Sequence, residues 1–257
     1  MLSQRGVHAE LLMDRVLAAC ERTPLVLVDD VPYLITPACD VLRGWDRTYH
    51  VQSRGAVLWR EYLTLFSTKD RTDGGALYRV GFDPNDPINT PNTLNDDVDV
   101  DVLQNLGIAA KHMVHDGWPL DVALGDMQRD GRVGDSGIPV GGGTEVDGVA
   151  SVVDCCANST TLAPAGDPGM ASGTQSYTTR GYPITDGNSF MMVLGFAPDG
   201  PHARAVLTYG QPDDPNDPDF TSQMQVYSDN TLRAVLFTPA EIAGDADATT
   251  VEVRGQR

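Results

Sequence analysis

The sequence predicts an α+β protein, with a mainly helical first half and a mainly β second half. Three observations carry this. Before about residue 130, apolar residues recur at the 3.6-residue period of a helix in several segments. After it, Gly, Thr, Ser and Val dominate, and short β-branched runs are separated by turn residues. All three Trp lie before residue 120. Helices followed by strands, rather than an alternation of the two, give α+β and not a parallel α/β sheet.

The elements follow in order. Ala9, Leu12, Met13, Val16, Leu17 and Cys20 share one helical face, so a helix is expected over about 8–21. A second begins at Thr36, a capping residue, with Pro37 at the first helical position and Ala38, Val41, Leu42 and Trp45 inward. A third follows Ser53, with Ala56, Trp59, Tyr62, Leu63 and Phe66 inward. A fourth spans about 97–115, with Val102, Leu103, Leu106, Ala110, Met113 and Val114 inward. Between the last two, residues 81–95 are rich in Pro and Asn and read as a long connection without regular structure. In the second half, strands are expected at 149–153, 189–194, 203–209, 232–237 and 249–254. Pro198-Asp199-Gly200 turns the second of these into the third as a hairpin, and Thr238, Pro239 and Glu241 form a capping box for a short helix. Neither an internal repeat nor a low-complexity tract is expected.

Composition removes whole classes of function. The chain has 257 residues and a formal net charge of −18, with 36 acidic residues against 18 Lys and Arg. A general electrostatic grip on nucleic acid or on an anionic membrane needs the opposite balance. Hydrophobic residues at 41% and charged residues at 21% place the chain among globular proteins, with a length ample for a core. No apolar run approaches the roughly 18–20 residues of a membrane span, and residues 1–9 hold no apolar signal-peptide core.

Local motifs point to chemistry only weakly. Gly134-Asp135-Ser136-Gly137 resembles the nucleophile loop of trypsin-like proteases, and Ala109-Ala110-Lys111-His112 their histidine segment. The histidine falls on a helix, however, and no double barrel of strands lies between the two, so Ser136 reads as a turn residue. His112 and His115 sit one helical turn apart without a third ligand spaced to join them. Asp96, Asp97, Asp99 and Asp101 lack the glycine and closing glutamate of an EF-hand and suit a helix N-terminus instead. Asp213, Asp214, Asp217 and Asp219 alternate with prolines in a solvated loop. Gly141-Gly142-Gly143 lacks the Lys and Ser/Thr of a phosphate loop. Asn158-Ser159-Thr160 is a formal glycosylation sequon. The four cysteines are too few for a disulfide scaffold and wrongly spaced for zinc. Cys155 and Cys156 read as buried thiols. For Cys20 and Cys39, a disulfide in an exported protein and two free core thiols are both compatible with the spacing. No metal, cofactor or catalytic constellation emerges from these residue types.

Longer strings carry more. Leu42-Arg43-Gly44-Trp45-Asp46-Arg47 followed by Ser53-Arg54-Gly55-Ala56-Val57-Leu58-Trp59-Arg60 resembles the "WD … SRGA" region of penicillin-acylase-type enzymes. Leu124-Gly125-Asp126-Met127-Gln128, then Ile138-Pro139-Val140-Gly141-Gly142, resembles their "LGD-x-Q … IP-x-GG" segment. Gly187-Asn188-Ser189-Phe190, Leu207-Thr208-Tyr209-Gly210-Gln211, Asp214-Pro215 and Asp217-Pro218-Asp219-Phe220 resemble their C-terminal stretch. There, Pro212, Asp219 and Ser222 replace the usual Ser, His and Asp. The strings occur in the right order over nearly the whole chain. They are most similar to the branch of aculeacin and acyl-homoserine-lactone acylases.

The resemblance implies an N-terminal-nucleophile hydrolase with a four-layer αββα sandwich. Its serine, exposed by self-cleavage, attacks an amide carbonyl with its own α-amine as base. It also implies that this chain matches only the last part of the β chain. The nucleophile, the cleavage junction and the oxyanion-stabilising Asn all belong to the part upstream, and Ser3 is no substitute. No catalytic, cofactor-binding or metal residue is therefore carried over. The implied partners are the α chain and the N-terminal part of the β chain, with a small acylated amide as substrate of the complete enzyme. The implied location is periplasmic or extracellular. Sheet edges and apolar surface are then expected to be exposed on the chain by itself. A non-catalytic binding or scaffold domain that keeps part of the fold is the rival reading.

Overall fold

A computed structural model describes residues 3–72, 77–94, 99–132, 137–149, 151–154, 177, 181–208, 210–246, 248–253 and 255. It is a mixed structure of helices and strands, as expected for α+β. The chain divides into two compact units, residues 1–188 and residues 189–257.

In the first unit, helix α1 (Val7–Arg22) buries Ala9, Leu12, Met13, Val16, Ala19 and Cys20. A hairpin follows, β1 (Leu25–Val28) and β2 (Val31–Leu34), paired from Leu25 with Leu34 to Val28 with Val31. Its turn residues Asp29 and Asp30 have φ of 52° and 61°, the left-handed pair of a tight hairpin turn. Helix α2 (Thr36–Gly44) starts one residue earlier than expected. Ile35 takes the cap position, no side chain caps the helix, and the inward face holds Ala38, Cys39 and Leu42 rather than Val41. Cys20 and Cys39 form a disulfide that ties α1 to α2, with Cα atoms 6.3 Å apart.

Helix α3 (Ala56–Thr64) is buried on every face from Ala56 to Leu63. Its cap, Gly55, has φ 117°, and a Cβ there would stand 2.6 Å from Trp45 Cβ. Only glycine fits this entry to the helix. Trp45, Trp59, Tyr62 and Phe66 form a chain of ring contacts with centroids 5.0–6.1 Å apart. After the short α4 (Thr68–Thr72) come β3 (Tyr78–Val80) and β4 (Asn92–Leu94), an antiparallel pair. The connection between them is thus shorter than the sequence suggests. Its prolines and asparagines form turns, and the strands at either end were hidden by their length of three residues.

Helix α5 (Asp99–His115) buries Val102, Leu103, Leu106, Ala109, Ala110 and Met113. Val114, expected inward, points to solvent. Gly107 lets the β1–β2 hairpin lie directly on the helix, since a Cβ there would meet Val26 Cγ2 at 2.7 Å and Val28 Cγ2 at 3.0 Å. The unit closes with α6 (Leu124–Met127), β5 (Gln128–Asp130), β6 (Val152–Asp154) and β7 (Tyr182–Gly187) in a sheet of order β5-β7-β6.

In the second unit, β8 (Phe190–Ala197) and β9 (Gly200–Leu207) form the expected hairpin. Helix α7 (Ser222–Ser228), which the sequence reading missed, packs on β9 and buries Met224 and Tyr227. Strand β10 (Arg233–Val235) pairs with β9, giving the order β10-β9-β8. Helix α8 (Pro239–Ala243) has the expected capping box, with Thr238 Oγ1 accepting from Glu241 N. The strand expected at 249–254 is not formed by residues 249–253. Val251 and Val253 are 78% and 88% exposed, so their alternation has no sheet to serve among the described residues.

Contrary to the expectation of no repeat, one pentapeptide occurs twice. Asp83-Pro84-Asn85-Asp86-Pro87 recurs as Asp214-Pro215-Asn216-Asp217-Pro218. Both copies fold alike. The first Asp accepts from the Asn backbone N–H at 2.8 and 2.9 Å. The N–H of the second Asp returns to the first carbonyl at 3.0 Å in each.

Candidate functional site

The family-like strings at 53–60, 124–128 and 138–142 converge in space on one buried polar knot. Arg60, in the middle of α3, donates from Nε to Asp147 Oδ2 at 2.9 Å and from Nη1 to Gln128 Oε1 at 2.7 Å. Its Nη2 lies 2.8 Å from the same Asp147 oxygen. Gln128 Nε2 then donates to the carbonyls of Val140 and Gly142 at 2.7 and 2.9 Å. Asp147 Oδ2 also accepts from Thr144 N at 2.7 Å and Thr144 Oγ1 at 3.2 Å. The guanidinium lies 4.5 Å from the Tyr182 ring centroid and 5.6 Å from that of Tyr49. Tyr182 donates its hydroxyl to Glu61, Arg60's neighbour on the helix.

A second knot holds the strings to one another. Asp46 Oδ1 accepts from Thr48 N, Thr48 Oγ1 and Ser53 Oγ at 3.0, 2.9 and 3.3 Å. Leu124 N donates to Ser53 O at 2.9 Å, and Gly125 N to Val51 O at 2.8 Å. Asp130 takes Arg132 side-on, Nε and Nη2 at 3.0 and 2.9 Å. Segments that are remote in sequence are thereby clamped around α3.

The electrostatics are those of a buried interior. Arg60 and Asp147 are fully buried, so each charge depends on the other for the solvation it has lost. Burial, together with the Asp147 charge, pushes the Tyr49 hydroxyl well above its usual range. Tyr49 Oη and Asp147 Oδ1 are buried without a hydrogen bond of good geometry among the described residues. His8 shares a 2.7 Å hydrogen bond with Tyr78 Oη. Burial and nearby Arg71 lower its pKa to about 4, against a smaller opposing effect of Asp147.

This arrangement positions backbone. Thr48 and Ser53 share their hydroxyls with each other and with Asp46, and no described serine bonds a histidine. His112 and His115 lie in the last turn of α5, where His115 Nδ1 meets Asp116 Oδ1 at 2.9 Å. No group of three or more metal-ligating side chains occurs among the described residues. Asp99 and Asp101 open α5, while Asp96 and Asp97 lie outside the described residues. Asp213, Asp214, Asp217 and Asp219 are exposed, with Asp214 and Asp217 engaged in their own turns. Gly141, Gly142 and Gly143 are buried, and Gly142 carries a carbonyl that Gln128 reads. Ser136, Cys155, Cys156 and the sequon at Asn158 lie outside the described residues. The sequence reading missed Asp130, Asp147 and the roles of Arg60 and Glu61. The available signal was two adjacent charges inside the apolar run AVLWREYL.

The family model for penicillin amidase matches residues 1–244. The chain belongs to the penicillin amidase family. It is similar to aculeacin-A acylase of Actinoplanes utahensis, 29% identical over 255 residues, which cover 98% of this chain and 28% of that protein. It is similar also to the acyl-homoserine lactone acylase PvdQ of Pseudomonas fluorescens, 26% identical over 212 residues, or 81% of this chain and 24% of that one. Among solved structures, a thermostable penicillin G acylase from Alcaligenes faecalis matches with a TM-score of 0.42 and 16% identity, over 99% of this chain and 48% of that chain. The chain thus spans about a quarter of the length of the curated relatives it matches. Among the described residues, no helix is long and apolar enough to cross a membrane.

Proposed function

We propose that this chain is the C-terminal segment of the β chain of an N-acyl amide hydrolase of this family. It would support an active site whose nucleophilic serine is supplied by another part of the enzyme. The observation that carries the reading is the coincidence of the family match over 1–244 with a span of 28% of the aculeacin-A acylase. The bonds that Arg60, Gln128 and Asp46 make to backbone and to one another's segments support that role. The substrates proposed are linear N-acyl amides, of the penicillin side-chain, lipopeptide or acyl-homoserine-lactone kind. The Cys20–Cys39 disulfide supports export to an oxidising compartment, the periplasm or the outside of the cell.

The second unit supports a place in a layered sandwich. By register, Phe190, Met192, Leu194 and Phe196 share one face of the sheet with Pro201, Ala203, Ala205 and Leu207, and Val235 lies opposite Ala203. Those large side chains are exposed, Phe196 at 84%. A face that apolar is suited to pack against a second sheet, about 10 Å away, as in a ββ core. The test is hydrolysis of a phenylacetyl or fatty-acyl chromogenic anilide. No turnover is expected from the purified chain, and turnover is expected once it is co-expressed with the region preceding it in the full enzyme. Turnover by the chain alone that survives repurification overturns the reading.

A further inference from the structure

The β1–β2 hairpin presents an apolar surface that the described residues of its own unit leave exposed. On its inner face, Val26 and Val28 are buried against α5 at Gly107, while Val31 at the tip of that face is 61% exposed. Its outer face, fixed by the register, holds Leu25 and Leu27 on one strand and Leu34 and Pro32 on the other. Leu25, Leu27 and Leu34 are each 54% exposed. An antiparallel pair with one face in water alternates apolar and polar residues. Leu-Val-Leu-Val followed by Val-Pro-Tyr-Leu does not alternate. It has the pattern of a strand pair covered on both sides.

The hairpin is also held stiffly. It is the excursion between Cys20 and Cys39, so the disulfide closes the loop that contains it. Asp29 in its turn is bound by Lys111 of α5 at 2.6 Å. An element fixed at its base, tip and inner face loses little freedom when a partner binds the face that remains.

We propose that the outer face of this hairpin is a docking surface for the part of the acylase that lies outside this chain, through an apolar patch on that part. The inference rests on the reading of the chain as a segment of a longer enzyme. That reading puts most of the enzyme's length, as judged from the relatives, outside the structure. A second copy is a poorer occupant, because two chains of charge −18 repel.

The experiment compares the full chain with its Leu25→Ser/Leu27→Ser/Leu34→Ser variant, each mixed with the separately expressed preceding region of the enzyme. Affinity is read by titration, and sedimentation of each chain by itself reads self-association. Far-UV circular dichroism and a count of free thiols establish that the variant is folded with its disulfide intact. Binding by the unaltered chain, weakened about 100-fold or more in the variant, is expected for three leucines leaving an apolar interface. Equal binding by both chains overturns the docking surface and leaves the segment reading standing. No binding by the unaltered chain overturns the segment reading and the inference with it. A dimer of the chain that the variant dissolves assigns the face to a second copy and overturns the proposed occupant. A variant that fails the folding controls overturns the assignment of these leucines as surface residues, and with it the docking face.

Discussion

Residues 1–188 and residues 189–257 are parts of one chain, yet they handle apolar and charged groups in opposite ways. The first unit encloses whole charges: Arg60 and Asp147 are sealed inside and bonded to each other, Arg60 also to Gln128 and Asp147 to Thr144. The second leaves one face of a three-stranded sheet in water, with Phe190, Met192, Leu194 and Phe196 on it. Burying a charge is tolerable only where its partner is already in place. Leaving phenylalanines exposed favours association instead. The difference separates a region organised around a buried ion pair from one organised around an open apolar sheet face.

Four perturbations break or sharpen this contrast. The largest effect is expected from Arg60→Ala, which strands the Asp147 carboxylate. A loss of about 3–5 kcal/mol is expected in a denaturant titration, and the double change Arg60→Met/Asp147→Leu should restore part of it. A loss below about 1 kcal/mol, the scale of an exposed pair, would show that the knot is not the clamp of the first unit. Next is the disulfide. Cys20→Ala/Cys39→Ala removes a link across 19 residues, which by loop closure is worth about 3 kcal/mol in the melting of the first unit.

The third perturbation is pH. The folded chain holds His8 neutral down to about pH 4, whereas the unfolded chain protonates it near the usual 6.5. The unfolded state therefore binds the extra proton between those values. Stability is full above pH 6.5, falls as pH drops through the window and levels off below 4, a loss of about 3 kcal/mol in total. His8→Gln should flatten that part of the curve of urea midpoint against pH, and an unchanged slope would exclude His8 as its source. The smallest effect belongs to the second unit. Phe196→Ser should change stability by less than about 0.5 kcal/mol, while lowering the binding of an apolar dye. A destabilisation comparable to that of Arg60→Ala would mean that this face already packs on something.

The sequence was most readable where one short-range signal decides the structure. The period of Ala9, Leu12, Met13 and Val16, the turn at Pro198-Asp199-Gly200 and the box of Thr238 and Glu241 each act within a few residues, and each is found as expected. Three-residue strands such as Asn92–Leu94 are too short to show a period, and a cluster of turn residues masked this one. The hairpin at Asp29 and Asp30 lacked the usual glycine, although two acidic residues took the left-handed turn. The knot lay beyond such signals altogether. Arg60 and Asp147 are 87 residues apart, and nothing local to Asp147 marks it as interior. The family resemblance covered Arg60, Gln128 and Gly142 in separate strings, and their hydrogen bonds join those strings in space.

The bonds from Arg60 to Gln128 and Asp147 span the exposed turns between β3 and β4. Proteolytic cutting at Asn85 or Asp86 would thus divide the polypeptide without dividing the unit. The two fragments would still share an interior, with a buried cation on one and its carboxylate on the other. They would separate on a denaturing gel and migrate together on a native one. Covalent continuity through that loop is a convenience of synthesis, and the interior is what makes the two halves one body.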